Sequence, residues 1–415
     1  MKKFAAPLLF IAVFCLISCD SDDKDDGLFA DYLVARPITM TRAEFANSVA
    51  IVPPRPLESS GKIYAYRDFI FVNDKHKGVH LIDNSDPSAP QKRAFIKIAG
   101  NVDISVKGDY LYADSLSDLI VLDISDLDNI RVVNRLYDVL NDPVVWPAEA
   151  DFFEYGEIDY ENEVLLGWEL VTERRLIAET PVWRDDVAFA EMAADANARI
   201  GQGGSLARFK IVEDFLYAVD SHFINIFDIS DLGNPLAQED VYAGFDIETI
   251  FSQGNYLFLG SMRGMYIYEV SDPARPGFIS EFQHGTACDP VVVDGDYAYV
   301  TLRGGNDCGA TESGLFIIDI RSIANPVLAA SYPMDEPYGL GIKGDQLFVC
   351  DGASGLKVYD KSSMENLVPL QHLEGMVTYD VIPLDETLVL IADGSLHQYA
   401  YQPDEIQWVS TLQLH

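Results

Sequence analysis

The chain has 415 residues, 48% of them hydrophobic and 11% aromatic, which is enough to build an extensive core. It carries 66 acidic side chains against 29 basic ones, a formal charge of −37. Such a surface repels polyanions and no basic stripe interrupts it, so nucleic acid is excluded as a partner, while solubility outside a cell is favoured.

Lys2 and Lys3 precede an apolar run over residues 4–17, the anatomy of a secretory signal. The run is too short to span a bilayer comfortably. It ends in LISC (residues 16–19), which resembles a bacterial lipoprotein cleavage box. The resemblance implies a signal peptide over residues 1–18 and an acylated Cys19 at the start of the mature chain, anchored in a membrane by its lipid. Ordinary cleavage to a free secreted protein is the alternative. Residues 19–27, with DSDDKDDG, form an acidic tether too charged to fold alone. The tether is similar to the sorting segment of lipoproteins exposed on the outer membrane, with retention at the periplasmic face as the other destination.

Residues 28–60 are read as a strand and helix segment. YLVARPITM suits a strand, TRAE (residues 41–44) has the form of a capping box before a short helix, and VPPRPLESSG is a stiff connector. Whether this segment plugs a larger fold or pairs on one of its edges stays open.

From residue 61 onward one pattern recurs. An aromatic or β-branched run follows a Gly-Asp-type turn at Phe69 (RDFIFV), Tyr110 (GDYLYA), Phe215 (EDFLYA), Tyr256 (GNYLFL) and Tyr297 (GDYAYV), with weaker copies at Gln346 (GDQLFV) and Thr387 (DETLVL). Four of the six steps are 41 residues, one is 49, and the step from Tyr110 to Phe215 is 105. Each unit holds four β-rich runs, as in VDISVKG, YLYADS, DLIVLDIS and IRVVNRLY, broken by turn residues. A period of about 40 residues made of short strands predicts an all-β fold, a seven-bladed β-propeller of four-stranded repeats over residues 61–415. One large insertion (residues 141–204) interrupts it between blades 2 and 3.

LIVLDISDLDN, INIFDISDLGNP and LFIIDIRSIANP resemble the LVIVD repeat of bacterial and archaeal surface proteins. The resemblance implies a propeller and a surface location and supplies no catalytic residues. GLGIKG (residues 339–344) matches a dinucleotide fingerprint in letters only, because it falls on a strand and turn rather than between a strand and a helix. No zincin, nucleophile-elbow or sialidase motif is present, and no cofactor or metal is expected.

The breaks in the period are expected on one face of the ring. The fifth unit's longer loop contains CGATESG, and Cys288 and Cys308 fall at the same rim, where a disulfide or two free thiols are both readable. Cys350 is expected to be a small buried hydrophobe. The insertion holds Trp146, Trp168 and Trp183 with Phe152, Phe153, Tyr155 and Tyr160, either a ligand grip or aromatic glue. EVLLGWELVTERRLIAE is expected to be a hairpin extending the second blade, and DDVAFAEMAADANA a short helix.

First-strand starts collect Asp103, Arg208, Glu248, Asp289 and Asp380, and loops on the same rim add Asp114, Asp220, Arg263, Arg303 and Asp351. These, with Trp168 and Trp183, are candidate ligand-binding residues around a channel mouth. The same residues also suit a solvated channel or bonding between blades. The leading expectation is a non-enzymatic surface lipoprotein that binds an envelope protein or glycan. Its rivals are an extracellular hydrolase or lyase, possibly metal-dependent, working through the rim carboxylates, and an assembly part in which only shape matters.

Overall fold

The computed structural model describes residues 29–140, 147, 150–176, 202–283, 290–304, 313–363 and 366–415. The chain divides into two compact units, one from residues 1–37, 147–157 and 168–185 and the other from residues 38–146, 158–167 and 186–415.

The larger unit contains, among the described residues, seven antiparallel sheets of four or more strands, each built on repeat strands that follow chain order from the inner one outward. Blade 2 shows the plan with Ile104–Lys107, Tyr110–Ser115, Asp118–Asp123 and Arg131–Leu136. Its second and third strands bury both faces. Leu111, Ala113, Ile120 and Leu122 pack against blade 1, while Tyr112, Leu119 and Val121 pack against blade 3. A strand with neighbours on both sides must be apolar at nearly every position, which is why the repeat reads as a continuous run rather than alternating. Similar cores join blades 3 to 4, 4 to 5, 5 to 6, 6 to 7 and 7 back to 1. The first strands touch one another in the same closed cycle. The fold is a β-propeller.

The turns explain the punctuation of the sequence. In six blades a two-residue loop joins the first two strands, and its first residue has positive φ: Arg67, Gly108, Glu213, Gly254, Gly295 and Gly344. Glycine occupies that position four times because it adopts this backbone without strain. After the third strand an aspartate folds back on the turn. Asp83, Asp123, Asp228 and Asp360 accept from the amides of Ser85, Ser125, Ser230 and Ser362 at 3.1, 2.9, 2.9 and 2.7 Å. These Asx turns give a physical role to the DIS element of the repeat.

Blade 1 gains a strand on each edge. Ala50–Val52 pairs antiparallel with its outer strand Gln91–Lys97, so this part of the amino-terminal segment joins an edge. Thr41 caps the helix Arg42–Ala46 through the predicted capping box, its side chain accepting from the Glu44 amide at 3.2 Å while its own amide donates to the Glu44 carboxylate.

A separate three-stranded sheet has the order Phe152–Phe153, Phe29–Thr41, Glu163–Leu176. The hairpin expected over EVLLGWELVTERRLIAE is instead, over its described residues, one long strand, Glu163–Leu176. Its sheet neighbour is the amino-terminal strand, remote in sequence and announced by no local turn. In the smaller unit Trp168 packs edge-on against Phe153 and Tyr155 at 5.4 and 5.8 Å between centroids, so its ring serves packing there.

Candidate binding groove

The rim aspartates mostly hold backbone. An aspartate ending the second strand caps the connector that leads into the first strand of its own blade. Asp74 accepts from the Glu58 and Ser59 amides, Asp114 from those of Val102 and Asp103, Asp351 from those of Asp335 and Glu336, and Asp393 from that of Val377. Asp220 instead closes its own loop through the amides of His222 and Phe223. Such bonds satisfy connector amides that no sheet ladder reaches.

Asp103 links three blades. It accepts from the backbone amides of Arg208 and Phe209, and it faces the Lys62 ammonium at 3.5 Å with both side chains 2% exposed. Burial pushes the Asp103 and Asp114 carboxyls up, the latter to about 7. The Arg208 guanidinium donates through Nε to the Val219 carbonyl at 3.0 Å and helps offset the burial of Asp114.

The middle of the ring is occupied by the chain itself. Gln202–Gly203 pairs antiparallel with Ser60–Tyr66 on the inner edge of blade 1. The Gly204 amide donates to the Ile63 carbonyl, and the Ser205 hydroxyl accepts from the Leu340 amide in blade 6. Asp380 of blade 7 lies against this segment, fully buried, with Oδ1 accepting from the Val381 amide at 2.9 Å. A Cβ on Gly204 would stand 1.9 Å from Asp380 Oδ2, so only glycine leaves room for that carboxyl. Of the expected ligand-facing carboxylates, Asp380 packs against this threaded segment, while Asp103, Asp114 and Asp351 accept from backbone amides.

The remaining candidates are dispersed. Glu248 is buried at 2% exposure in the first strand of blade 4. Arg263 pairs with Asp246 at 3.1 Å over the Phe245 ring, and the Arg303 guanidinium lies 4.2 Å from the Tyr338 ring centre. Asp351 pairs with Lys357. Cys350 is a buried free thiol, its ionisation pushed up by burial. Cys19, Trp146, Trp183, Cys288, Asp289 and Cys308 lie outside the described residues, as does the helix expected over DDVAFAEMAADANA. Among the described residues no three His, Cys, Asp or Glu side chains group as metal ligands.

The larger unit instead offers a groove beside blade 2, built where non-repeat sequence meets the repeat. Phe45 of the capped helix packs with Ala99 and Leu116, joined by Val164 and Leu166 of the insertion. Arg42 ties the helix to the insertion turn, donating to the carbonyls of Tyr160 and Glu161 at 3.0 and 3.2 Å. The resulting cavity of about 630 Å³ has Phe45, Leu116 and Leu165 as buried apolar lining, Asp118, Asp138 and Glu163 as its carboxylates, and Tyr137 and Tyr160 among its walls. Its size is that of small-ligand sites, about 300–1,000 Å³.

Arg135 braces this wall. Its side chain is 6% exposed, and the guanidinium lies 5.0 Å from the Phe45 ring centre and 6.0 Å from that of Tyr137 while donating to Asp118 at 2.8 Å. Asp118 also accepts from the Asp138 amide at 3.0 Å, and Ser117 donates to the Asp138 carboxylate at 3.0 Å. The sequence marked the insertion and Tyr160 but not the groove, because Phe45, Leu116 and Tyr137 are separated along the chain and carry no shared motif.

The LVIVD repeat family matches residues 59–93, 99–136, 248–283 and 284–333, which fall on blades 1, 2, 4 and 5. This chain carries LVIVD repeats. Blades 3, 6 and 7 have the same strand plan beyond the matched residues. No curated protein matches the sequence. Among solved structures it is similar to Kluyveromyces lactis Hsv2, with 12% identity, 86% of this chain and 100% of that one covered, and a TM-score of 0.48. It is also similar to BamB from Moraxella catarrhalis, with 10% identity, 90% and 99% covered, and a TM-score of 0.47. The propeller stands on the seven sheets found among the described residues and their closed cycle.

Proposed function

We propose that this LVIVD-repeat propeller is a lipoprotein, anchored through acylated Cys19 at the outer membrane and exposed at the surface, that acts as a non-enzymatic binding or assembly module for an envelope protein or glycan. The observation that carries the binding role is the groove beside blade 2, where the capped helix and residues 158–167 enclose apolar and aromatic surface on an otherwise repetitive scaffold. Binding is favoured over acid–base chemistry at the rim because Asp103, Asp114 and Asp351 are already engaged with backbone amides and buried cations.

The test places a photo-cross-linking amino acid at Ala46 in the groove and, as a control, at Leu328 on the outer strand of blade 5, in the full-length protein in its native cells. Capture of a protein or polysaccharide from Ala46 and not from Leu328 is expected. Equal capture at both positions, or none at Ala46, overturns the binding role. Loss of fatty-acid labelling and of membrane association in Cys19→Ala is expected for the anchor, and retention of both would refute it.

A further inference from the structure

Tyr137 and Tyr160 are 63% and 57% exposed, although each belongs to the wall of a cavity whose other aromatic, Phe45, is buried. A tyrosine ring left open beside an apolar lining is a flat platform with a polar tip. Carboxylates near such platforms accept hydrogen bonds from hydroxyl donors. Asp138, exposed, and Glu163, half-buried, supply them, held in place by Ser117 and the Asp159 amide while leaving acceptor capacity; Asp118, 5% exposed, is already paired with Arg135 and serves the wall. Charge narrows the choice of ligand. Among the described residues three carboxylates line the groove, one of them, Asp118, paired with Arg135, and the one cation in the lining, Arg42, has its guanidinium committed to the Tyr160 and Glu161 carbonyls. With a chain charge of −37 around it, a uronate, sulfated or phosphorylated ligand meets repulsion and no free cation among the described lining residues.

We infer that the groove binds a neutral oligosaccharide, with Tyr137 and Tyr160 stacking on sugar rings and Asp138 and Glu163 accepting from sugar hydroxyls. This rests on the groove being the binding site proposed above and names its ligand class. Arg135, stacked behind Tyr137, acts as a positioning residue. A cavity of about 630 Å³ accommodates a short saccharide segment.

Affinity gel electrophoresis suits the test, because the strongly acidic folded chain migrates readily toward the anode. The soluble protein, lacking residues 1–27 so that no lipid interferes and retaining every described residue, is run in native gels containing xyloglucan, galactomannan, pullulan or dextran, and in gels containing polygalacturonate. Retardation by at least one neutral polysaccharide and by no polygalacturonate is expected. Tyr137→Ala and Tyr160→Ala should each weaken it at least tenfold, whereas Tyr137→Phe and Tyr160→Phe should retain most of it. Melting curves of all four variants separate lost stacking from lost folding. Retardation that survives both alanine variants, stronger retardation by polygalacturonate, or none by any of the four neutral polymers overturns the inference. If Ala46 still captures a protein in cells while all neutral gels are silent, the binding role stands and the saccharide does not.

Discussion

Asp380 provides the sharpest test of the interior. It is fully buried, and burial pushes its carboxyl up to about 8 despite the Val381 amide, the Lys62 ammonium and the amides of Ile63 and Ser205 that favour the ionised form. In the unfolded chain an aspartate titrates near pH ~4. The native state therefore holds an extra proton between those limits, so the stability this provides is complete below about pH 4 and drains as the pH climbs through about 8. At ~1.4 kcal/mol per pH unit, the bound on that loss is on the order of 5 kcal/mol. Asp114, pushed up to about 7 by the same burial, acts in the same direction and remains in the variant. Asp380→Asn preserves the shape and removes one titration. Guanidinium unfolding followed by circular dichroism between pH 5 and pH 9 should show wild-type stability falling with pH, and Asp380→Asn gaining on it by several kcal/mol across that range. Parallel curves for the two proteins would refute a protonated Asp380 at the ring centre.

Two further changes probe the backbone. Gly204→Ala puts a methyl 1.9 Å from Asp380 Oδ2 and should cost about 1–3 kcal/mol by overpacking, whereas Gly203→Ala, whose Cβ would stand 3.3 Å from its neighbours, should cost less. Equal melting temperatures for the two variants would show that the 202–207 segment is not confined. Glu213 has φ 50 at a loop position where four other blades use glycine, and the Lys107 bond to its carbonyl does not need its side chain. Glu213→Gly should therefore raise stability by roughly 0.5–1 kcal/mol, relief of strain exceeding the added chain entropy; an unchanged or lower unfolding midpoint would contradict that.

The blade plan was legible because each local cue agrees with the next. Gly-Asp pairs supply the tight turns, DIS elements supply the Asx turns, and runs such as DLIVLD are apolar at consecutive positions because both faces are buried. The rim was legible in composition and not in role. Asp74, Asp114, Asp351 and Asp393 recur near the end of the second strand, a regularity that marks structural capping more than ligand binding. The capped helix was readable from Thr41 and Glu44, but its docking was not, since Phe45 meets Leu116 and Val164 only in space.

The threaded segment shows why composition alone stops short. In GQGGS (residues 201–205) the glycines read as looseness, the ordinary meaning of glycine in a connector. In the ring they have the opposite effect. Gly203 pairs with Tyr64, and Gly204 must lack a side chain because the buried Asp380 carboxyl occupies the space a Cβ would take. The same letters thus serve confinement, and what distinguishes the two meanings is a contact between residues 204 and 380, at a separation no periodic pattern spans. Residues 202–205, at the carboxyl-terminal end of the insertion, are fixed to blades 1, 6 and 7. The non-repeat residues around Tyr160 are in turn held to the helix through Arg42. That Arg42 anchorage lowers the entropy that a ligand would otherwise have to remove on binding.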